Sequence, residues 1–303
     1  METHRHTRAK NALKPALIIT SSFLVAEFIG ALYTNSLALL ADSGHMLTDV
    51  AALSLSLAAN WFSTRRATPQ KTYGFHRVEI LAALLNGVVL VLIALYIFYQ
   101  AYGRLLNPPE VEAGWMLVIA CVGLLANVIS AWLLFGEHRH NLNVRGAMFH
   151  IISDAIGSAG AIVASLAILL GGYYIADPAI SVVVGILILS SSWVLIRDAV
   201  DVLLEGTPAQ INIMSLQHEL RRVEGVESVH DLHVWTLTSG VLAMSCHVVI
   251  SNGQLSRNQV LAQVNGLARE RFQIDHTTVQ IEEAAESVMD SCDCHFGAWD
   301  SLR

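Results

Sequence analysis

Two segments of the chain carry the same short pattern, H-x-x-x-D. In SLALLADSGHMLTDVAALSLSLA it is His45 and Asp49; in MFHIISDAIGS it is His150 and Asp154. Residues four apart stack on one face of a helix, so each segment presents an imidazole and a carboxylate together. Brought face to face, the two pairs make a four-coordinate set of two nitrogens and two oxygens. That set suits tetrahedral Zn²⁺, and its two carboxylates offset the divalent charge. Calcium and magnesium want six or more oxygens and fit poorly. A lone His–Asp pair can be an ordinary buried hydrogen bond. Two such pairs in apolar runs are costlier, because a charged side chain at the bilayer centre costs about 2.5–3.5 kcal/mol even on the lenient insertion scale.

The elements that must hold these pairs are membrane helices. Of 303 residues, 54% are hydrophobic and only 14% are charged, against about 25% charged in a soluble domain. The net charge of -7 comes with no basic domain, so nucleic acid is not an expected partner. Apolar runs lie near 14–34, 37–62, 79–102, 113–136, 144–171 and 177–197. Each is close to the roughly 20 residues that span a bilayer, and only helices satisfy the backbone there. Pro108 and Pro109 stop one run and Pro178 fits the start of another. The polar opening METHRHTRAKNALKPA has no clear cleavage site, so no removable signal peptide is expected.

Basic residues set the expected orientation. Arg5, Arg8, Lys10 and Lys14 precede the first run, Arg65, Arg66, Lys71 and Arg77 fill the second loop, and Arg139 and Arg145 flank the fourth. Arg197 ends the sixth run, while the opposite side has Arg104 alone. Both termini are therefore expected in the cytoplasm. His45 then lies about eight residues, or roughly 12 Å, into its span, and His150 about nine residues, or roughly 14 Å. In a core of about 30 Å both pairs reach the midplane. The fifth run is rich in small residues (Ser153, Gly157, Ser158, Gly160, Ala161). These permit close helix approach, whether for a shared ion or for ordinary packing. Asp42, three residues before His45, is placed to orient that imidazole. Glu27, Glu79, Asn86 and Asn127 are expected to line the polar interior or to pair with one another.

After Glu205 the pattern changes. NIMSLQHELRRVEGV has helical spacing, SVHDLHVWTL and VLAMSCHVVI read as strands around the turn signal TSG, RNQVLAQVNGLARERF is a helix, and HTTVQIEE a strand. The order α, β, β, α, β over about 95 residues makes a small soluble α+β domain. The expected divisions are a cytoplasmic N-terminal segment 1–13, a six-helix transmembrane domain 14–204, a cytoplasmic α+β domain 205–290 and a tail 291–303. Cys121, Cys246, Cys292 and Cys294 are too few for a disulfide framework and read as reduced or metal-facing.

LALLADSGHMLTDVAAL, YGFHRVEILAALLNG, RGAMFHIISDAIGSAGAI, DPAISVVVGILIL and VHDLHVWTLTSG resemble the cation diffusion facilitator family, and within it the zinc-exporting branch with His-Asp on both helices. The resemblance covers nearly the whole chain. It implies a homodimeric, proton-coupled antiporter that exports divalent metal by alternating access, in the plasma (inner) membrane. It also implies a metallochaperone-like fold for the cytoplasmic domain, which helps to dimerise the protein. The family transport site maps onto His45, Asp49, His150 and Asp154. Members with Asp at the first of these positions accept Cd²⁺ more readily, so His45 implies a preference for Zn²⁺, with Cd²⁺ or Co²⁺ as further cargo. Protons compete for the same ligands, since metal binding requires deprotonated groups.

The same resemblance implies further metal positions. A family site in the second loop uses several His and Asp residues, of which His76 alone remains in TPQKTYGFHRVEI. A cytoplasmic site maps onto His230, His247 and Glu282 on adjacent strands. CDCH adds Cys292, Cys294 and His295, while His4 and His6 either join or are solvated. His233, three residues from His230, is expected on the other face of the strand by simple alternation. Arg77 and Glu205 match a salt bridge that links spans to the soluble domain. Two rival readings are a membrane-embedded zinc metalloenzyme and a metal sensor. The first finds no H-E-x-x-H here, and the second would bind metal without moving it.

Overall fold

The computed structural model describes residues 2–63, 68–135, 142–238, 240–251 and 255–283, without the side chains of 2–16, 19, 49, 52–53, 55–63, 130–135 and 142–153. Asp49, His150, Cys292 and Cys294 thus lie outside the described side chains, as do His4 and His6. The chain forms two compact units, one of residues 1–65 and 81–197, the other of 66–80 and 198–303.

The first unit is built from α1 (Glu2–Thr34), α2 (Leu37–Ser63), α3 (Arg77–Leu106), α4 (Ala113–Phe135), α5 (Leu142–Gly171) and α6 (Ala176–Leu203). Among the described residues, Arg77–Leu106, Asp154–Gly171 and Ala176–Leu203 are each long and apolar enough to cross a membrane. Helix α1 packs on α2, α4 on α5, α1 on α4, and α2 on α5. Small residues make that bundle tight. Ala31, Ala38, Ala120, Ala161 and Ala164 are buried together with Leu39, Met116 and Ile168. Helix α3 joins α6 through Gly87 against Ile196 and Gly185 against Phe98. Many large apolar side chains remain exposed, among them Leu92, Tyr99, Leu125, Val163 and Ile186. Such an outward apolar surface belongs in lipid, not in water.

One end of the unit is tied by a buried acid. Asp177, at the start of α6, accepts from Ser36 Oγ at 2.6 Å and from the backbone N–H groups of Leu37 at 2.7 Å and Ala38 at 3.1 Å. Its carboxylate satisfies the open first turn of α2. Arg104, at the end of α3, stands 3.8 Å from the same carboxylate and donates to Asn35 O at 2.6 Å.

The second unit contains α7 (Ile213–Arg221), β1 (Val226–Thr238), β2 (Val241–Ile250), α8 (Arg257–Phe272) and β3 (Ile274–Glu283). The sheet order is β1-β2-β3, with β1–β2 antiparallel and β2–β3 parallel. The parallel pair requires a crossover, which α8 supplies. Asn212 caps α7 by accepting from Ser215 N at 3.0 Å, and Gln259 reaches back to Ser256 N at 2.8 Å to start α8. Leu216, Leu220, Met244, Val248, Val260 and Val264 form the core between helices and sheet.

Candidate metal sites

The membrane unit brings α2 and α5 together where the H-x-x-x-D patterns lie. His45 Nε2 stands 3.1 Å from Asp154 Oδ1, with side chains only 14% and 15% exposed. For bonds of about 2.0–2.1 Å, two ligands of a tetrahedral Zn²⁺ are roughly 3.3 Å apart. The observed separation is close to that edge.

Glycine permits the approach. A Cβ on Gly157 would meet Asp42 Oδ1 at 2.6 Å, so a side chain at this position of α5 would have to displace the Asp42 carboxyl. Asp42 Oδ2 accepts from Ser158 Oγ at 3.3 Å. Asp42 thus reaches across to α5, a contact that spacing along α2 alone does not reveal.

The second unit gathers ligands on the solvent face of its sheet. His230, His247 and Glu282 each offer a ligand atom, all within 4.8 Å of one another. His247 Nδ1 lies 2.8 Å from Glu282 Oε1, and His230 Nε2 lies 3.3 Å from Glu282 Oε2. The strand register makes this possible: His230 pairs with His247 across β1–β2, and Val249 pairs with Glu282 across β2–β3. Partial burial works to raise the Glu282 pKa. The hydrogen bonds and charges of the two imidazoles outweigh it and hold the carboxyl below its ordinary value.

His233 does not turn away as alternation predicts. The β1 register shifts between His230 and His233, and Asp231 takes a left-handed φ of 51°. One extra residue in the strand returns His233 to the face of His230. His233 Nε2 meets Asp231 Oδ1 at 2.9 Å, and Asp231 Oδ2 lies 3.7 Å from His247 Nε2. The burial record carries the same signature: Val229 and Val234, five apart, are both in the core. Asp231 therefore borders the cluster without having been singled out from sequence; its only signal is the acid inside HDLH.

Three other candidates resolve differently. Cys246 faces the core, opposite His247, and burial pushes its thiol up to about 11. It is a packing residue, not a metal ligand. Glu79 does not line the membrane interior; it accepts from Thr238 Oγ1 at 2.6 Å within the second unit. His76 is half-buried and, among the described residues, joins no group of three ligand-type side chains. Its loop is nonetheless ordered against this unit. Tyr73 stacks edge-on to His276 at 5.6 Å, and Arg77 donates to Glu205 Oε1 at 2.6 Å.

Comparison with known proteins matches these two parts separately. Residues 13–204 match the cation efflux transmembrane domain and residues 208–284 the cytoplasmic domain of cation efflux proteins. A cadmium, cobalt and zinc/H(+)-K(+) antiporter of Bacillus velezensis is 43% identical, covering 94% of this chain and 93% of that protein. The metal cation efflux system protein CzcD of Cupriavidus metallidurans is 39% identical, covering 97% and 92%. The zinc transporter ZitB of Shigella flexneri is 41% identical, covering 92% of each. A bundle with polar ligands inside and apolar residues outside, followed by a small sheet domain, agrees with both matches. The chain belongs to the cation efflux family of membrane transporters, carrying its transmembrane domain and its cytoplasmic domain, and it is not an enzyme.

Proposed function

We propose that the protein exports divalent metal, chiefly Zn²⁺, from the cytoplasm in exchange for protons. The cargo binds His45, Asp49, His150 and Asp154, two imidazoles and two carboxylates near the bilayer midplane. The observation that carries this reading is the 3.1 Å approach of His45 to Asp154 across α2 and α5. Nitrogen with oxygen in a four-fold set selects Zn²⁺ over hard cations. Cd²⁺ and Co²⁺, named for the Bacillus velezensis relative, are secondary cargo.

The four ligands bind metal only when deprotonated, so zinc and protons exclude each other there. A rocking of the helices then exposes the site outward, where incoming cations displace the metal. The same relative is named for exchange against both H⁺ and K⁺, and K⁺ enters this reading as a second exchange partner. Both termini lie in the cytoplasm of a plasma-membrane homodimer held partly by the cytoplasmic domain. His230, His247 and Glu282 form a separate regulatory metal site, to which the tail thiols Cys292 and Cys294 contribute. His76 is at most an isolated loop ligand.

The test is zinc uptake by the purified protein in liposomes under an imposed pH gradient. Uptake that follows the gradient supports export by exchange. Metal binding without movement would replace this reading with that of a sensor.

A further inference from the structure

Two acids of the membrane unit have no place in the zinc site. Glu27 of α1 is 2% exposed and Asp42 of α2 is 6% exposed. Their carboxyl groups lie close enough to interact, and Asp42 also accepts from Ser158 of α5. Glu27 Oε2 is buried with no hydrogen-bond partner among the described residues. Two carboxyl groups hydrogen-bond only through a proton, and two bare carboxylates in an apolar bundle stay together only around a cation. Among the described residues, the charged or titratable groups that act on the pair are Asp154 from α5 and His45 from α2. Among these described groups acids outnumber bases, and one carboxylate oxygen is left without a hydrogen-bond partner among them.

The position of the pair is as telling as its charge. Asp42 stands three residues before His45 on α2, and Ser158 four residues after Asp154 on α5. Asp177, shortly beyond the end of α5, binds the first turn of α2, so α2 begins where α5 ends. Both steps therefore lead toward the same end of the bundle, by about one turn. In the orientation proposed above, that end faces outside.

We propose that Glu27, Asp42 and Ser158 form a second cation site, one turn to the external side of the zinc ligands, which takes the monovalent cation exchanged for zinc. The proposal rests on the export reading. An all-oxygen set suits a proton or K⁺ and lacks the nitrogen that favours Zn²⁺. A cation arriving from outside meets this pair before it reaches His45 and Asp154. Its charge then opposes the divalent ion one turn away, which couples arrival of one to departure of the other.

The experiment uses full-length protein in liposomes with a zinc-sensitive dye. External pH is varied at fixed K⁺, and external K⁺ at fixed pH. Glu27→Gln is expected to need at least about tenfold more external cation for half-maximal zinc flux, the size of one lost charge-assisted contact. The KM for zinc should move less than about twofold, because uniform zinc binding is untouched. Glu27→Asp should recover most of the shift. The arm that moves identifies the cation, and a shift in either supports the site. Unchanged dependence in both arms, or a lower maximal flux with no shift, overturns it.

If Glu27→Gln moves no zinc, calorimetric zinc titration of the purified variant decides, in a His247→Ala background. Zinc binding retained, with its dependence on pH or K⁺ weakened, supports the proposal. Zinc binding lost, or an unaltered dependence on both cations, overturns it. Wild-type liposomes that move no zinc refute the export reading instead, and the same calorimetry still decides the cation site.

Discussion

The two groups of ligand-type residues sit in opposite surroundings. His45 and Asp154 are packed inside a helical bundle, closed in by Gly157, Ser158 and Asp42. The His230 and His247 side chains are 42% and 30% exposed on an open sheet face. In the bundle, a lost ligand leaves a buried charge that water cannot reach, at a cost of several kcal/mol. On the sheet, water replaces a lost ligand at little cost. The same residue types are thus expected to be indispensable in one place and adjustable in the other.

The largest effect should come from Asp154→Asn. It keeps the shape of the side chain and removes one anionic ligand of the proposed set. Replacing partners that only orient a ligand costs about 10–100-fold in metal affinity, so loss of the ligand itself should cut zinc flux by about a hundredfold or more. Liposome flux of folded, dimeric protein measures it. Flux within a few-fold of wild type would remove Asp154 from the transport path.

Next in size is a change of selectivity. His45→Asp exchanges a nitrogen ligand for an oxygen, and ligand type with geometry sets discrimination more than raw affinity does. The variant should transport Cd²⁺ better relative to Zn²⁺, by about tenfold, a shift of about 1.4 kcal/mol between the two ions. Competition between the ions in one flux assay reads the ratio. An unchanged ratio in a variant that still transports would show that His45 does not set the choice.

How far each region can be read from sequence follows from its geometry. Helical period is regular, so counting puts His45 with Asp49 on one face of α2 and His150 with Asp154 on one face of α5. The α, β, β, α, β order is likewise open to counting, because turns and caps such as Asn212 and Ser256 are local. The β1 face is not: alternation assumes a regular strand, and the bulge at Asp231 breaks it between His230 and His233. Glu79 reads from hydropathy as an interior group, because hydropathy does not reveal which polar group at a span's edge meets Thr238. Nor does spacing disclose that Asp42 reaches Ser158, a contact between residues 116 positions apart.

A smaller effect is expected from the sheet cluster. His247→Ala, or Cys292→Ser with Cys294→Ser, should leave flux within about fivefold of wild type, which is about 1 kcal/mol. What should change is its dependence on zinc concentration, since a ligand there acts only through its differential affinity for two states. Loss as deep as that of Asp154→Asn would make these ligands an obligatory loading step. The metal-free cluster also carries a pH signature. Glu282 is held below its ordinary pKa, so its contribution to stability is full above the unfolded carboxyl value, about 4.3. It is lost as pH falls through the lower folded value. Glu282→Gln should therefore lower the stability of the metal-free domain at neutral pH and flatten its acid unfolding, the variant and the wild type converging at low pH.

The smallest effect should come from the ion pair between Arg77 and Glu205. At 2.6 Å its geometry is good, but the side chains are 41% and 59% exposed. Water and salt screen such a pair, which contributes about 0.2–1 kcal/mol. The neighbouring contacts, Tyr73 on His276 and Glu79 to Thr238, hold the same loop without it. A double-mutant cycle of Arg77→Ala and Glu205→Ala, read by thermal unfolding in detergent, should give a coupling below about 1 kcal/mol that shrinks as salt rises. Flux in either single variant should stay within about fivefold of wild type, the equivalent of that energy. Suppose instead that each single variant lost flux as Asp154→Asn does, while the charge-reversed double variant recovered it. The pair would then be a mechanical joint of the transport cycle, and the sharp division between an indispensable buried site and adjustable exposed contacts would fail here.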